Sequence, residues 1–360
     1  MNKVFINKIN LINFRNFGFK EVVFNEHRIL ITGPNGSGKT SILEAISLLS
    51  PGRGLRGEKQ ENFILSNQNY SEVTYQINSY LGNVEIKDRI ESNSAAKHIY
   101  MNDKKIRSSE LLKFVNIFWL TPQQNITFQE SSSYRRKFFD RIVYSFFHFH
   151  ATEINSYEHL QKSRLQALIS NEADNKWLDI IETQMSKLAQ NICLRRWEIL
   201  NKLNEIISNI TSITKVSLKL NSEIDNLAEK QRLDDFYLNI IELFRKNREL
   251  DKKSHKTNFG PMKTDFRAHH IDKNMDISLC STGEQQSCLI SILIGHTQLF
   301  NNYTDKMPIL LLDELFVHLD EKNKHILSNF ISNKNMQIFV TSTEKELCSD
   351  FFKHSVEIIL

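Results

Sequence analysis

Gly33-Pro34-Asn35-Gly36-Ser37-Gly38-Lys39-Thr40 fits the spacing G-x-x-x-x-G-K-[ST]. Its glycines let successive backbone N–H groups turn inward as an anion-binding nest. Lys39 is placed to reach the β- and γ-phosphates of a nucleoside triphosphate, and the Thr40 hydroxyl to ligate Mg²⁺. Far along the chain, Ile309-Leu310-Leu311-Leu312 ends in Asp313-Glu314. Asp313 can hold the Mg²⁺ shell, and Glu314 can polarise an attacking water as general base. Upstream of these carboxylates lies Ser281-Thr282-Gly283-Glu284-Gln285. A hydroxyl and exposed N–H groups at a helix start can grip a γ-phosphate. The chain's own glycine loop already fills its site, so Ser281 and Gly283 are expected to act on the ATP of a second copy. Taken singly, each piece also has a plain reading: a glycine-rich turn, a buried strand before a solvated acidic turn, a capped helix. Loop, signature and acidic strand together point to an ATPase that closes as a dimer around nucleotide.

These residues need particular elements to position them. Arg28-Ile29-Leu30-Ile31-Thr32 reads as a short buried strand leading straight into the glycines. Ser41 to Leu49 carries apolar residues at spacings of three and four, a helix whose N-terminal dipole faces the phosphates. The run before Asp313 suits a strand buried on both faces of a mostly parallel sheet. Gln286 to Ile294 continues the signature as an apolar-striped helix behind a hydroxyl cap. The expected fold is α/β, a P-loop NTPase with a mixed sheet and flanking helices.

Between these halves the pattern becomes helical and charged. Ile181, Met185, Leu188, Ile192, Ile199, Leu203, Ile206 and Ile210 recur at helical spacings. They fit either the core of a bundle or a short antiparallel arm. Asp251 to Lys256 reads as a solvated loop closing this stretch. The expected organisation is an N-terminal part of the head over 1–132, an inserted helical lobe over 133–258, and the C-terminal part of the head over 259–360.

Composition sets outer bounds. The chain has 360 residues, 40% hydrophobic and 24% charged, as in ordinary globular proteins. A net charge of +4 permits nucleic-acid binding without arguing for it. Cys193, Cys280, Cys288 and Cys348 show no C-x-x-C pairing, so neither zinc nor a disulfide framework is expected. Met1-Asn2-Lys3-Val4-Phe5 opens no signal peptide, and no apolar run approaches membrane-spanning length, so a cytoplasmic location with no membrane partner is expected.

Taken together, these segments resemble the ABC/SMC-head type of ATPase, and within that group the RecF family of bacterial recombination-repair proteins. Leu11-Ile12-Asn13-Phe14-Arg15-Asn16-Phe17 resembles the family's opening strand and turn, and Pro51 to Arg56 its basic loop. Trp119-Leu120-Thr121-Pro122-Gln123 is similar to the strand leading to the Q-loop, which makes Gln123 the metal- and water-sensing residue. Tyr134 to Arg141 resembles the Arg-Arg helix that opens the second lobe. His318-Leu319-Asp320 looks like the D-loop, which puts Asp320 beside nucleotide. Phe339 to Thr343 stands at the switch strand, with hydroxyls where transporter cassettes have His. Gly260-Pro261-Met262-Lys263-Thr264-Asp265 looks like a worn Gly-Pro-His-Arg-Ser-Asp motif.

The resemblance implies a weak Mg²⁺-dependent ATPase that acts as an ATP-gated dimeric clamp on DNA in replication, gap repair, recombination and SOS induction. It further implies mediator partners of the RecO and RecR type and the RecA recombinase. Arg53, Arg56 and Lys59, and Arg135 and Arg136 in the second lobe, are the candidate DNA-backbone contacts. Solvated or salt-bridged surfaces are their plain alternative. No base-reading constellation is visible, so little sequence preference is expected. A transporter ATPase would need a switch His, a Leu-Ser-Gly-Gly-Gln signature and a much shorter gap between loop and signature. A nuclease-linked defence ATPase would be told by its partner rather than by this chain.

Overall fold

The computed structural model describes residues 4–93, 97–170, 174–230, 233–332, 336–343 and 355–360. Two compact units emerge: Met1–Asn125 with Thr282–Leu360, and Ile126–Ser281.

In chain order, the first unit opens with β1 (Phe5–Phe14), β2 (Phe17–Val23), β3 (Arg28–Thr32) and α1 (Lys39–Ser47). It continues through β4 (Tyr70–Ser79), β5 (Gly82–Glu91), β6 (Lys97–Met101), β7 (Lys104–Ile106) and β8 (Ile117–Leu120). The second unit holds α2 (Ser132–Tyr144), α3 (His150–Ser170), α4 (Asn175–Asn209), β9 (Val216–Asn221), α5 (Glu223–Lys230), α6 (Leu233–Lys246), α7 (Arg248–Ser254), β10 (Asp265–His270) and β11 (Met275–Asp276). The chain then returns to the first unit with α8 (Thr282–Thr304), β12 (Ile309–Leu312), α9 (Glu321–Ser332), β13 (Ile338–Ser342) and β14 (Val356–Ile359).

The α/β head carries two sheets. Five parallel strands run in the order β14-β3-β13-β12-β8, and six antiparallel strands in the order β2-β1-β4-β5-β6-β7. All four residues of β12 are buried, as a central parallel strand requires. Helix α1 is buried from Ile42 to Ser47, and the Tyr75 hydroxyl of β4 donates to Ala45 O at 2.6 Å. The wholly buried Gln337 joins the two sheets. Its amide accepts from Ile6 N at 2.8 Å and donates to Ile6 O at 3.0 Å, extending the ladder like one more residue.

In the second unit, α4 packs Ile181, Met185, Ala189, Ile192 and Cys193 against Ile154 and Tyr157 of α3 and Phe236, Ile240 and Phe244 of α6. The stripe is therefore bundle core. Near its end the buried residue is Ile207, not Ile206, because the helix turns 100° per residue and the inward face shifts. Two boundaries differ from expectation. Asp251 to Ser254 is not loop but part of α7, with Asp251 wholly buried against Arg164 at 2.6 Å. Residues 259–281 belong to the second unit, because β10 pairs with β9 residue for residue from Asp265↔Asn221 to His270↔Val216.

The second unit is pinned by buried arginines. Arg164 donates to Glu182 Oε1 at 2.8 Å, Asp251 Oδ2 at 2.6 Å and Phe244 O at 2.7 Å. Arg196 grips Asp140 through two bonds at 2.8 and 2.9 Å and reaches Pro261 O at 2.7 Å. The Gly260–Asp265 segment is thus a clasp. Gly260 sits at φ 119°, and a Cβ there would stand 2.2 Å from the Tyr157 hydroxyl oxygen.

Burial alone would raise the Asp140 pKa, but Arg196 and the His150 ring outweigh it and hold the carboxyl at about 2. A depressed carboxylate stabilises the fold above its unfolded value of ~3.9, and that stability is lost as pH falls toward the folded value. Arg196→Ala strands this buried charge and is expected to cost about 3–5 kcal/mol at neutral pH. Urea denaturation checks this, and the gap to the parent protein is expected to narrow as pH falls below about 4. An unchanged midpoint at neutral pH would remove Arg196 from the framework.

Among the described residues no helix is long and apolar enough to cross a membrane. Cys193, Cys280 and Cys288 are buried, and Cys348 lies outside the described residues.

Candidate nucleotide site

Strand β3 ends where the glycine loop begins, and α1 starts at Lys39 directly behind it. Gly38 adopts φ 104°, and a Cβ there would lie 2.3 Å from Phe17 Cζ, so both conformation and space demand glycine. Gly33, at φ 151°, has Ser37 Oγ and Leu360 O within 2.8 Å of where a Cβ would be. No side chain caps the N-terminus of α1 and no acidic residue stands in its first turn, so its N–H groups remain for an anion. Ser37 Oγ is buried without a hydrogen-bond partner. Lys39, almost wholly buried, donates from Nζ to Gly33 O at 2.7 Å and Pro34 O at 3.1 Å. The same Nζ lies 3.8 Å from Glu314 Oε1.

Asp313 emerges from β12 beside Thr40. Its Oδ1 accepts from Thr40 Oγ1 at 3.1 Å and from Thr341 Oγ1 at 2.7 Å. Burial raises its pKa, with the Thr341 and Thr40 hydroxyls opposing. Such a carboxylate gains most from a nearby cation. Glu314 follows at φ 45°, and its N–H donates to Thr341 Oγ1 at 2.9 Å.

An open cleft of about 780 Å³ gathers these groups. Asn35, Gly36, Gly38, Lys39 and Thr40 line one side, and Asp313, Glu314 and Gln123 another. Gln123 is exposed into the cleft, whereas its neighbour Gln124 turns inward to accept from Thr121 N at 3.0 Å. The oxygen donors Thr40, Asp313 and Gln123 have the hard character that Mg²⁺ prefers. The described residues hold no cluster of three His, Cys, Asp or Glu side chains fit to bind a metal by themselves. A divalent ion here would draw its remaining ligands from phosphate and water, which is the usual Mg²⁺ arrangement.

Ser281 and Gly283 are exposed and lie outside this cleft. Ser281 is the last residue of the second unit, and α8 begins one residue on. Asp320 also lies outside it. Its Oδ1 accepts from Asn323 N at 2.8 Å, capping α9, and Asn323 in turn donates to Ser287 Oγ at 2.7 Å. The side chain of His318 lies outside the described residues.

The basic residues divide. Arg53 and Lys59 are exposed, Lys59 in a surface pair with Glu61 at 3.4 Å. Arg56 is exposed and lines the nucleotide-sized cleft. Arg135 and Arg136 correct the expectation of backbone contacts. Arg135 is buried with two bonds to Asp265 at 2.7 and 2.8 Å, and Arg136 is buried and donates to Thr264 O at 3.2 Å. Both guanidinium groups are engaged inside their own unit, where a burial cost is offset by paired hydrogen bonds.

Sequence reading missed the part of the lining that packs beside the glycine loop. Arg15, Asn16, Asn62, Leu65 and Ser66 stand there. Arg15 holds Glu44 through bonds of 2.8 and 2.6 Å and lies 4.9 Å over the Phe63 ring. The available signal was an arginine and an asparagine in the tight turn between β1 and β2.

The family model described as the RecF/RecN/SMC N-terminal domain matches residues 5–359. A protein named DNA replication and repair protein RecF from Rickettsia prowazekii (strain Madrid E) is 39% identical over 352 residues, covering 98% of each chain. Its counterpart from Rickettsia typhi (strain ATCC VR-144 / Wilmington) is 38% identical with the same coverage. A solved structure described as the recombination mediator protein RecF-ATPrS in the RecFOR pathway superposes with a TM-score of 0.86 at 24% identity, covering 99% of this chain and 98% of that one. A glycine loop, a paired carboxylate strand and an inserted second unit, matched along nearly the whole length, place this chain in the RecF/RecN/SMC family, among the RecF proteins of DNA replication and repair.

Proposed function

We propose that the cleft binds Mg²⁺-ATP and hydrolyses it slowly, and that a second copy of the chain closes over the nucleotide to form a clamp on DNA. The observation that carries this reading is the contact between Thr40 and Asp313, 273 residues apart, which sets the glycine loop against the acidic strand. In this reading Lys39 Nζ exchanges the Gly33 and Pro34 carbonyls for phosphate oxygens. Thr40 and Asp313 would hold the Mg²⁺, which would supply charge stabilisation at the phosphates. Gln123 orients water, and Glu314 accepts the proton from the attacking water. The exposed Ser281, Gly283 and Asp320 address the partner copy's nucleotide. The names of the Rickettsia proteins support the role in DNA repair, and the RecFOR pathway named for the matched structure supports partners of the RecO and RecR type; the RecA recombinase follows from the family resemblance alone.

Arg53, Lys59 and, at the cleft edge, Arg56 supply the DNA-backbone contacts. One copy offers few charges, and exposed charges are screened within about 8 Å at physiological salt. Two copies present two sets. Each neutralised phosphate adds roughly 0.9 to the slope of log K against log salt. Duplex affinity is therefore expected to be higher, and its salt slope about twice as steep, with ATP than without. Arg53→Ala with Lys59→Ala is expected to flatten that slope at unchanged ATP affinity. Fluorescence anisotropy over a salt series reads both effects. Equal slopes with and without ATP would sink the clamp.

A further inference from the structure

Strand β13 ends behind Asp313 and Glu314, which line the cleft, and Thr341 there is wholly buried. A hydroxyl has one proton and two lone pairs. Thr341 gives its proton to Asp313 Oδ1 at 2.7 Å and accepts the Glu314 N–H at 2.9 Å. One side chain therefore grips the carboxylate of one acidic residue and the backbone of the next. Glu314 needs such a hold. It sits at φ 45°, ψ 22°, in the left-handed region, where a residue with a Cβ is held only by its surroundings. It also opens the short 3₁₀ turn Leu315–His318, with no side-chain cap of its own. Register adds a second constraint. β13 pairs in parallel with β12 through Leu312↔Val340 and with β3 through Thr341↔Ile31, so Thr341 is fixed between the acidic strand and the strand that feeds the glycine loop.

We propose that Thr341 is a positioning residue for hydrolysis, setting the Glu314 backbone so that its carboxylate faces the cleft in register with Asp313 and the glycine loop. The proposal rests on reading the cleft as an ATPase site and adds to it a residue whose hydroxyl is engaged by the Asp313 carboxylate and the Glu314 backbone. A switch-strand His would reach the nucleotide itself. This hydroxyl acts from behind the acidic pair.

The plain alternative is that Thr341 only fills space at a strand end. Thr341→Val keeps the shape and the β-branch and removes the hydroxyl. Thr341→Ser keeps the hydroxyl and removes a methyl. Steady-state ATP hydrolysis with Mg²⁺ and DNA, and binding of a fluorescent ATP analogue, would be measured on the full chain. Thr341→Val is expected to lower kcat by about tenfold or more while KM and analogue affinity stay within about threefold, and Thr341→Ser is expected to stay near the parent. Because Thr341 acts through Glu314, Thr341→Val is expected to slow Glu314→Gln no further. A Val variant with parental kcat, a Ser variant as slow as Val, or losses that multiply in the double variant would each overturn the proposal. Should the parent neither bind the analogue nor hydrolyse ATP, the cleft is not an ATPase site and the proposal falls with that reading. A parent that hydrolyses ATP and a Val variant that matches its kcat refute the proposal alone.

Discussion

Lys39→Ala is expected to remove most of the ATP affinity, by about 100-fold or more. A charge-assisted hydrogen bond contributes about 1.5–3 kcal/mol, and Lys39 is placed to make such bonds to two phosphates. At roughly 1.4 kcal/mol per tenfold, losing about 3 kcal/mol takes a micromolar site beyond ~100 µM. The backbone nest remains but brings no full charge. The variant also frees the Gly33 and Pro34 carbonyls that the ammonium now holds at 2.7 and 3.1 Å, so the loop loses its own internal fastening. Calorimetric titration with ATP checks this, and parental affinity in Lys39→Ala would overturn the assignment of the cleft.

Glu314→Gln is expected to separate binding from turnover. Hydrolysis should fall by about 10²–10⁴, the usual contribution of a positioned general base. Affinity should hold or rise, because neutralising Glu314 removes the carboxylate that stands 3.8 Å from Lys39 Nζ and competes with phosphate for it. Single-turnover assays with radiolabelled ATP read the two quantities separately. A Gln variant that turns over at the parental rate would take the base role from Glu314.

The parts of this site that were legible in the sequence are those whose chemistry is local. The glycine loop needs a strand before it and a helix after it, and all three lie within twenty residues of chain. The acidic strand shows as four apolar residues because a central parallel strand is buried on both faces. What stayed hidden depends on pairing over long separations. Nothing in Asp265–His270 says that it will join β9 rather than a strand of the head, and so the second unit reaches to Ser281. The adjacent Arg135 and Arg136 read as a surface charge pair, since the carboxylate that buries Arg135 is 130 residues away at Asp265. Arg15 stood in the opening strand and turn, but nothing in that segment gave it a role at the cleft, and its partner Glu44 sits on the inner side of α1, where a glutamate is unexpected. Thr341 was visible only as a hydroxyl in place of His. Its hold on both Asp313 and Glu314 required the register of β13 beside β12.

If a second copy completes the nucleotide site, the mass of Glu314→Gln in solution must depend on ATP. Gly283 gives access to the contact, because a Cβ there meets nothing within 4 Å and a long side chain disturbs only what docks from outside. Light scattering of Glu314→Gln is expected to give 42.2 kDa without nucleotide and twice that with Mg²⁺-ATP. Adding Gly283→Arg is expected to leave ATP binding intact and hold the mass at the monomer value. A mass that ATP does not change, measured at saturating nucleotide, or a doubled mass that survives Gly283→Arg, would contradict the account.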